Sequence, residues 1–319
     1  MKSFDEILSS GVLNLSEIEN FRQEQEKIEK AKQKKGLIIS GIILFITCLI
    51  AFASGLFPLL IIVLIVGIIA YLIWWGNVKN KYIVAIKENL IQKLIKSIDE
   101  SFGYQPNAMI PKDVFKESNL IKTFNQYSGE DYFFGRIDDI PIEFSQLLVK
   151  QKHDKSTVTL FNGTFFVAEF KQHFQGRAAV VPDTMEKTFG AFGRVFQKIT
   201  IFRDNLIKIN DTEFEKQFAI YSTNEQEANK LLQGNLNNYL LQLKAENPSG
   251  VFFAYNKQKF YLGLYSKKDI FKVDINNQID ANILREYYDE IVNSLNIVIN
   301  IYAYLEENMA KSSYQTFDY

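Results

Sequence analysis

From Gly36 to Val78 the chain carries no Asp, Glu, Lys, Arg or His, an apolar run of 43 positions. In helical form such a run reaches roughly 64 Å, about twice the ~30 Å core of a bilayer. Ala53-Ser54-Gly55-Leu56-Phe57-Pro58 sets Gly and Pro close together near its middle, which marks a turn. The pattern predicts two spans, about Gly36 to Ala53 and Leu59 to Trp75, joined as a transmembrane helical hairpin. Before it, Ser16-Glu17-Ile18-Glu19 has the capping-box spacing and predicts a polar helix from near Leu15. Its sparse apolar positions suit either a solvated helix or one that docks a partner. After the hairpin, Tyr82, Ile86, Leu90, Leu94 and Ile98 recur every four residues, an amphipathic helix that Gly103 and Pro106 break. A short helix is predicted from Ile110-Pro111 to Gln126.

From Tyr132 the period becomes strand-like. Tyr132 to Arg136 and Ile140 to Lys150 are two strands joined at Asp138-Asp139. Thr157 to Phe161 and Thr164 to Phe170 flank Asn162-Gly163, a strong hairpin signal because a type I′ turn needs positive φ at both central residues. Ala178 to Val181 and Phe214 to Tyr221 read as further strands. Thr223 is placed to cap a helix whose face is Ala228, Leu232, Leu236, Leu240 and Leu243, stopped at Asn247-Pro248-Ser249-Gly250. Val251 to Tyr255 and Lys259 to Tyr265 form another hairpin. A long helix starts near Asp280 with the stripe Leu284, Tyr287, Ile291, Leu295, Val298, Tyr302 and Leu305. Hairpin-linked strands with helices between and after them predict an α+β fold, with mainly antiparallel sheet and packed helices. The expected organisation is a polar helical segment (1–35), the hairpin (36–78), a juxtamembrane helix and linker (79–127), a cytoplasmic α+β domain (128–308) and a tail (309–319).

Composition changes this picture in three places. Over 319 residues the chain is 47% hydrophobic with net charge −1, an average that would suit a soluble protein if the charge-free run did not break it. Near-neutral charge argues against nucleic acid as a partner. The single cysteine, Cys48, excludes a disulfide framework or a cysteine metal site within the chain. Lysines flank the hairpin on both outer sides (Lys27, Lys30, Lys32, Lys34 and Lys35; Lys79, Lys81, Lys87, Lys93 and Lys96) while its turn is uncharged. The positive-inside rule therefore puts both termini in the cytoplasm, in a multi-pass inner-membrane arrangement. Tyr71, Trp74 and Trp75 stand where interfacial anchors belong. Ser40, Gly41, Ala51 and Gly67 would permit close helix packing and homo-oligomers.

Candidate chemistry is thin. Lys87, Lys93 and Lys96 either attract anionic lipid or only satisfy the orientation rule. Lys187, Arg194 and Lys198, beside the bare Gly190-Ala191-Phe192-Gly193, form a candidate anion contact. His153 and His173 lack partners at a metal-site spacing, and no P-loop, G-x-S-x-G or G-x-G-x-x-G occurs. Glu130-Asp131 and Asp138-Asp139 are acidic pairs, but adjacent strand residues point to opposite faces and do not converge on one substrate. Phe133, Phe144, Phe165, Phe170, Phe218, Phe252 and Tyr261 alternate at strand spacing, as core residues do. No catalytic residue, metal ligand or cofactor emerges from the residues.

Tyr127 to Gly135, Phe161 to Phe170, Phe174, Gly176, Pro182-Asp183, Phe214-Glu215-Lys216, Phe218 to Thr223 and Glu227-Ala228 together resemble a bacterial family of membrane-anchored proteins, domain of unknown function 3137. The resemblance is expected to run from the hairpin to the last helix. It departs from the family at Leu232-Gln233-Gly234, where a proline is expected. It implies an inner-membrane hairpin with a cytoplasmic domain, and membrane proteins of the LemA type as partners. It supplies no activity and no catalytic residues. Two functions stay open: a membrane-anchored scaffold or binding module touching the lipid bilayer and a membrane-protein partner, or an enzyme acting on a membrane-proximal or lipid-linked substrate.

Overall fold

The structure is a computed structural model that describes residues 1–11, 13–55, 57–152, 154, 156–183, 205–266 and 271–314. The chain divides into two compact units, Met1–Ile98 with Phe271–Tyr288, and Asp99–Ile270 with Asp289–Tyr319.

The first unit is helical. Helix α1 (Phe4–Ser9) opens with a capping box between Ser3 and Glu6, and α2 (Leu15–Ser54) and α3 (Phe57–Ile98) follow. Helix α2 begins where the sequence predicts, but its cap is Asn14, whose Oδ1 accepts the Ser16 and Glu17 amides at 3.0 and 3.3 Å. At its other end Gly55 takes φ +67, the left-handed conformation that glycine enters without Cβ strain. Pro58 lies in the first turn of α3, where its missing N–H costs no helical bond. The polar N-terminal helix and first apolar span are thus one helix of 40 residues. The second span and the amphipathic helix after it are likewise one helix of 42.

The second unit is built on a nine-stranded sheet. Its elements are β1 (Gly103–Gln105), α4 (Lys112–Glu117), β2 (Gln126–Ile137), β3 (Ile140–Lys152), β4 (Thr157–Glu169) and β5 (Arg177–Pro182). Then come β6 (Asn205–Ile207), α5 (Thr212–Glu215), β7 (Phe218–Ser222), α6 (Glu225–Leu231), α7 (Asn235–Glu246), β8 (Val251–Asn256) and β9 (Lys259–Tyr265). The last helix, α8 (Ala281–Tyr314), supplies its residues from Asp289 onward. Strand order is β1-β2-β3-β4-β9-β8-β5-β7-β6, and every pairing is antiparallel, so the unit is α+β.

One row of paired residues crosses all nine strands: Tyr104, Phe133, Phe144, Phe166, Leu262, Phe253, Val180, Ile220 and Ile207. All nine are buried. Phe133 and Phe144 stack at 4.5 Å and Phe144 and Phe166 at 5.5 Å. Helix α8 lies over this face, its Ser294 and Ile297 sharing a small cavity with Phe166 and Leu264. The stripe predicted for it is buried throughout, and Tyr302 meets Phe170 at 4.6 Å. The opposite face carries Leu147, Val149, Phe161, Phe165, Tyr261 and Phe252, closed by Ile110, Phe115, Leu120 and Ile121. Of the helix predicted from Ile110 to Gln126 only α4 forms.

Three local expectations are corrected. Asn162-Gly163 makes no hairpin: it lies inside β4, with Gly163 paired to Leu147 and Tyr265. Glycine is needed there for close approach, since a Cβ would stand 2.0 Å from the Leu264 carbonyl oxygen. The turn with two positive φ values is instead Asp138 (46°) and Asp139 (68°), between β2 and β3. Phe214 belongs to α5, capped by Asp211, and the strand starts only at Phe218. The helix predicted after Thr223 is two helices broken at Gly234 (φ +59), and Asn224 is the cap. Asn308 of α8 secures the break, its Nδ2 donating to the Leu231 and Gln233 carbonyls at 2.8 and 3.1 Å.

Gly163→Ala is therefore expected to destabilise the protein by about 1–3 kcal/mol, the range for overpacking. Gly263→Ala meets side chains rather than backbone, the Phe161 ring at 2.9 Å first, and is expected to lose less. Denaturant unfolding of the full chain in detergent checks the order of the two losses.

Candidate functional site

The first unit exposes apolar surface over most of the hairpin. Phe45 is 65% exposed, Phe52 75%, Ile61 61% and Ile73 61%, and the aliphatic residues around them are similar. Both helices are long and apolar enough to cross a membrane. A core helix of a soluble protein buries such residues, and contiguous exposed apolar surface of this extent marks a site of contact. Two hydroxyls in the run are satisfied on their own helix: Thr47 Oγ1 donates to the Ile43 carbonyl at 2.8 Å and Ser54 Oγ to that of Ile50 at 2.7 Å. Backbone-satisfied hydroxyls are what hydrocarbon surroundings require.

Between α2 and α3 runs an apolar groove of about 720 Å³, lined from Gly36 to Thr47 on one helix and from Val63 to Trp74 on the other. The spacing between the helices varies along the groove. A Cβ on Gly36 would lie 2.4 Å from the Trp74 ring, whereas Gly41 and Gly67 have nothing within 4 Å of theirs.

Outside the apolar run the unit is clamped by charge. Arg22, 5% exposed, bonds Glu19 at 2.7 Å and Glu26 at 2.8 Å, and donates to the Ile275 carbonyl. Glu19 also accepts the Ile279 amide at 3.1 Å, so one ion pair holds two points of the 271–280 segment against α2. The Arg22 hydrogen bond brings the Glu19 carboxyl down to about 2, against an ordinary 4.5. Lys93 pairs with Glu17 at 2.8 Å across α3 and α2, and Arg285 with Asp5 at 2.7 Å. Burial pushes the Glu29 carboxyl up, partly offset by Lys79.

The second unit has a smaller cavity of about 180 Å³, lined by Thr164, Asn247, Ser266, Glu290, Asn293 and Ser294 among others. Glu290 is the titratable group on its wall. Elsewhere in the unit, Asp131 and Glu227 serve the fold. Asp131 is buried at φ +58 in a bulge of β2 and accepts the Tyr104 hydroxyl. Glu227 accepts the Gln175 and Gly176 amides at 2.6 and 2.7 Å. Lys244 donates to the Gln217 carbonyl over the Phe218 ring, and burial lowers its pKa. Among the described residues no three His, Cys, Asp or Glu side chains group as metal ligands do.

The residues singled out from sequence are dispersed. Lys87 is 4% exposed, Lys93 is engaged by Glu17, and Lys96 is exposed, so the three do not make one surface. Lys187, Arg194 and Lys198 lie outside the described residues, as do Gly190 to Gly193 and His153. His173 is exposed in a loop. Tyr71 and Trp74 line the groove with their rings 5.9 Å apart, and Trp75 is half-buried beside them. Arg22, Glu19 and the groove itself were missed from sequence. The Glu19, Arg22 and Glu26 spacing was the available signal for the clamp, but nothing local points to Ile275 or Ile279.

Comparison with known proteins adds a family. Residues 159–303 match DUF3137, a family described as protein of unknown function. The DUF3137 match starts in β4 and ends within α8. It excludes the hairpin, β1, β2 and β3, a shorter reach than the sequence resemblance implies. Among solved structures, that of the mycobacterial trehalose monomycolate transport factor A, TtfA, is similar at 10% identity over 63% of this chain and 92% of that one. Its TM-score is 0.33, too low to carry an argument about this chain. Comparison with curated proteins gives no match.

The clamp predicts a pH response. A carboxyl with a lowered folded pKa contributes stability that is full above the ordinary value and is lost as pH falls through the folded one. Stability is expected to fall between pH 4.5 and about 2, and Glu19→Ala to remove that part of the loss. At neutral pH the variant should weaken protection of the Ile279 amide by about 1.5–3 kcal/mol, the worth of a hydrogen bond to a charged group. Hydrogen exchange over residues 271–280 is the measurement.

Proposed function

We propose that this protein is a membrane-anchored scaffold or binding module. In this reading residues 36–78 cross a bacterial inner membrane twice, both flanks lie in the cytoplasm, and residues 128–308 form a cytoplasmic domain that binds a partner. The observation that carries it is the exposure of apolar side chains on all sides of α2 over residues 37–50 and of α3 over residues 61–74. Lysines on the outer flanks and an uncharged turn support the orientation. Among the described residues the polar cavity has a volume of about 180 Å³, smaller than the ~300–1,000 Å³ of ordinary small-molecule sites, which favours a binding role over an enzymatic one. The carboxylates Asp131, Glu19 and Glu227 are committed to structural bonds. The partner is either a second copy or another membrane protein.

The lone cysteine permits a direct test of topology. In a Cys48→Ala background, Ser54→Cys is expected to react with an impermeant maleimide on intact spheroplasts. Lys2→Cys is expected to react only after permeabilisation. Equal labelling of both before permeabilisation would overturn the orientation. Affinity purification in mild detergent should return a stable stoichiometric partner or homo-oligomer, and a clean monomer with nothing bound would count against the binding role.

A further inference from the structure

We propose that the groove between α2 and α3 holds one acyl chain of an anionic phospholipid from the leaflet on the lysine side. The proposal rests on the membrane reading above. Length points to the occupant. From Gly36 to Thr47, and from Val63 to Trp74, the lining covers eleven residue steps on each helix, or roughly 16 Å at the helical rise. That is about half of the ~30 Å hydrocarbon core, the depth of a single leaflet. A transmembrane helix from a partner would run the full thickness and need a groove of matching length. A lipid tail enters from one surface and ends at the midplane, as this groove does. The walls are apolar, and Gly41 and Gly67 leave open the space that larger side chains would fill.

Charge points to the headgroup. The groove begins at the first residue after Lys35, where Trp74 closes on Gly36. One helical turn outward, Lys32 stands beneath Gly36 and Lys35 beneath Ile39, both groove residues. Lys81 lies two turns beyond Trp74 on the same side of α3. All three lysines are exposed, and Lys32 lies 5.4 Å from the Tyr82 ring, near the groove's extension. The far end of the hairpin offers no charge at all. A phosphate at the interface therefore meets two or three ammonium groups while its tail fills the groove. A zwitterionic headgroup gains less from the same lysines.

The two tryptophans, Trp74 and Trp75, report on this site without labels. The full chain is reconstituted in phosphatidylcholine vesicles containing a small fraction of lipid brominated on its acyl chains, with either a phosphatidylglycerol or a phosphatidylcholine head. Brominated phosphatidylglycerol is expected to quench in clear excess. Lys32→Gln and Lys35→Gln should each reduce that preference roughly fivefold. Gly41→Leu with Gly67→Leu, at two positions where an added Cβ meets nothing within 4 Å, should abolish it while vesicle flotation and helicity stay unchanged. Equal quenching by the two lipids, or an excess that survives the leucine variant, would overturn the proposal. So would a lipid-insensitive disulfide dimer through Gly67→Cys in a Cys48→Ala chain, which would assign the groove to a second copy. Absence of quenching by either brominated lipid would instead sink the membrane reading, and the groove assignment with it.

Discussion

The second unit depends on the registration of one row of side chains across nine strands. Side chains alternate faces along a strand, so a one-residue slip anywhere would turn part of the row from Tyr104 to Ile207 out of the core. Both faces of the sheet are covered, which raises the cost of such a slip further. The deviations from regular pairing sit where the row is protected. One bulge lies between Glu130 and Phe133, where Asp131 takes a left-handed conformation and is held by Tyr104. Another lies between Val149 and Lys150, short of the Gly163 crossing. Each absorbs an extra residue and lets strands of 12 and 13 residues twist without breaking the aromatic stack.

The first unit exposes a different kind of surface. Over the charge-free run polar groups are few, and the hydroxyls of Thr47 and Ser54 are bonded to their own helix. Outside it the same two helices carry a buried arginine, paired carboxylates and cross-helix ion pairs. The change occurs over about two turns, between Glu29 and Gly36 on α2. Surface ion pairs contribute little to stability, but Arg22 is desolvated and divides its donors among two carboxylates and a backbone carbonyl. Such a group fixes position, because removing any one partner leaves a buried charge short of a bond.

What the sequence made legible follows from the range of the forces involved. The α8 stripe and the β8–β9 hairpin were readable because their periods and turn residues are local. Asn162-Gly163 misled because the same dipeptide that suits a type I′ turn also suits close strand approach, and only the position of β9 decides between them. Thr223 and Asn224 are both competent caps. Thr223 is taken by the Arg177 amide at 3.0 Å, so Asn224 caps α6. The flanking lysines were visible as charges, but the burial of Lys87 depends on which face of α3 is covered. The groove arises only when two helices meet at Gly36 and Trp74 and stay apart at Gly41 and Gly67.

The clamp on α2 also has a history written into it. Arg22 reaches across 253 positions to Ile275, and Glu19 across 260 to Ile279. At roughly 5–20 residues per second of synthesis, the stretch from Asp99 to Ile270 emerges over about ten to thirty seconds. The helical hairpin is therefore made, and free to seek its surroundings, well before the segment that locks its base exists. The two long helices are made first and the residues of the polar lock last, an order imposed by the chain's own direction of growth.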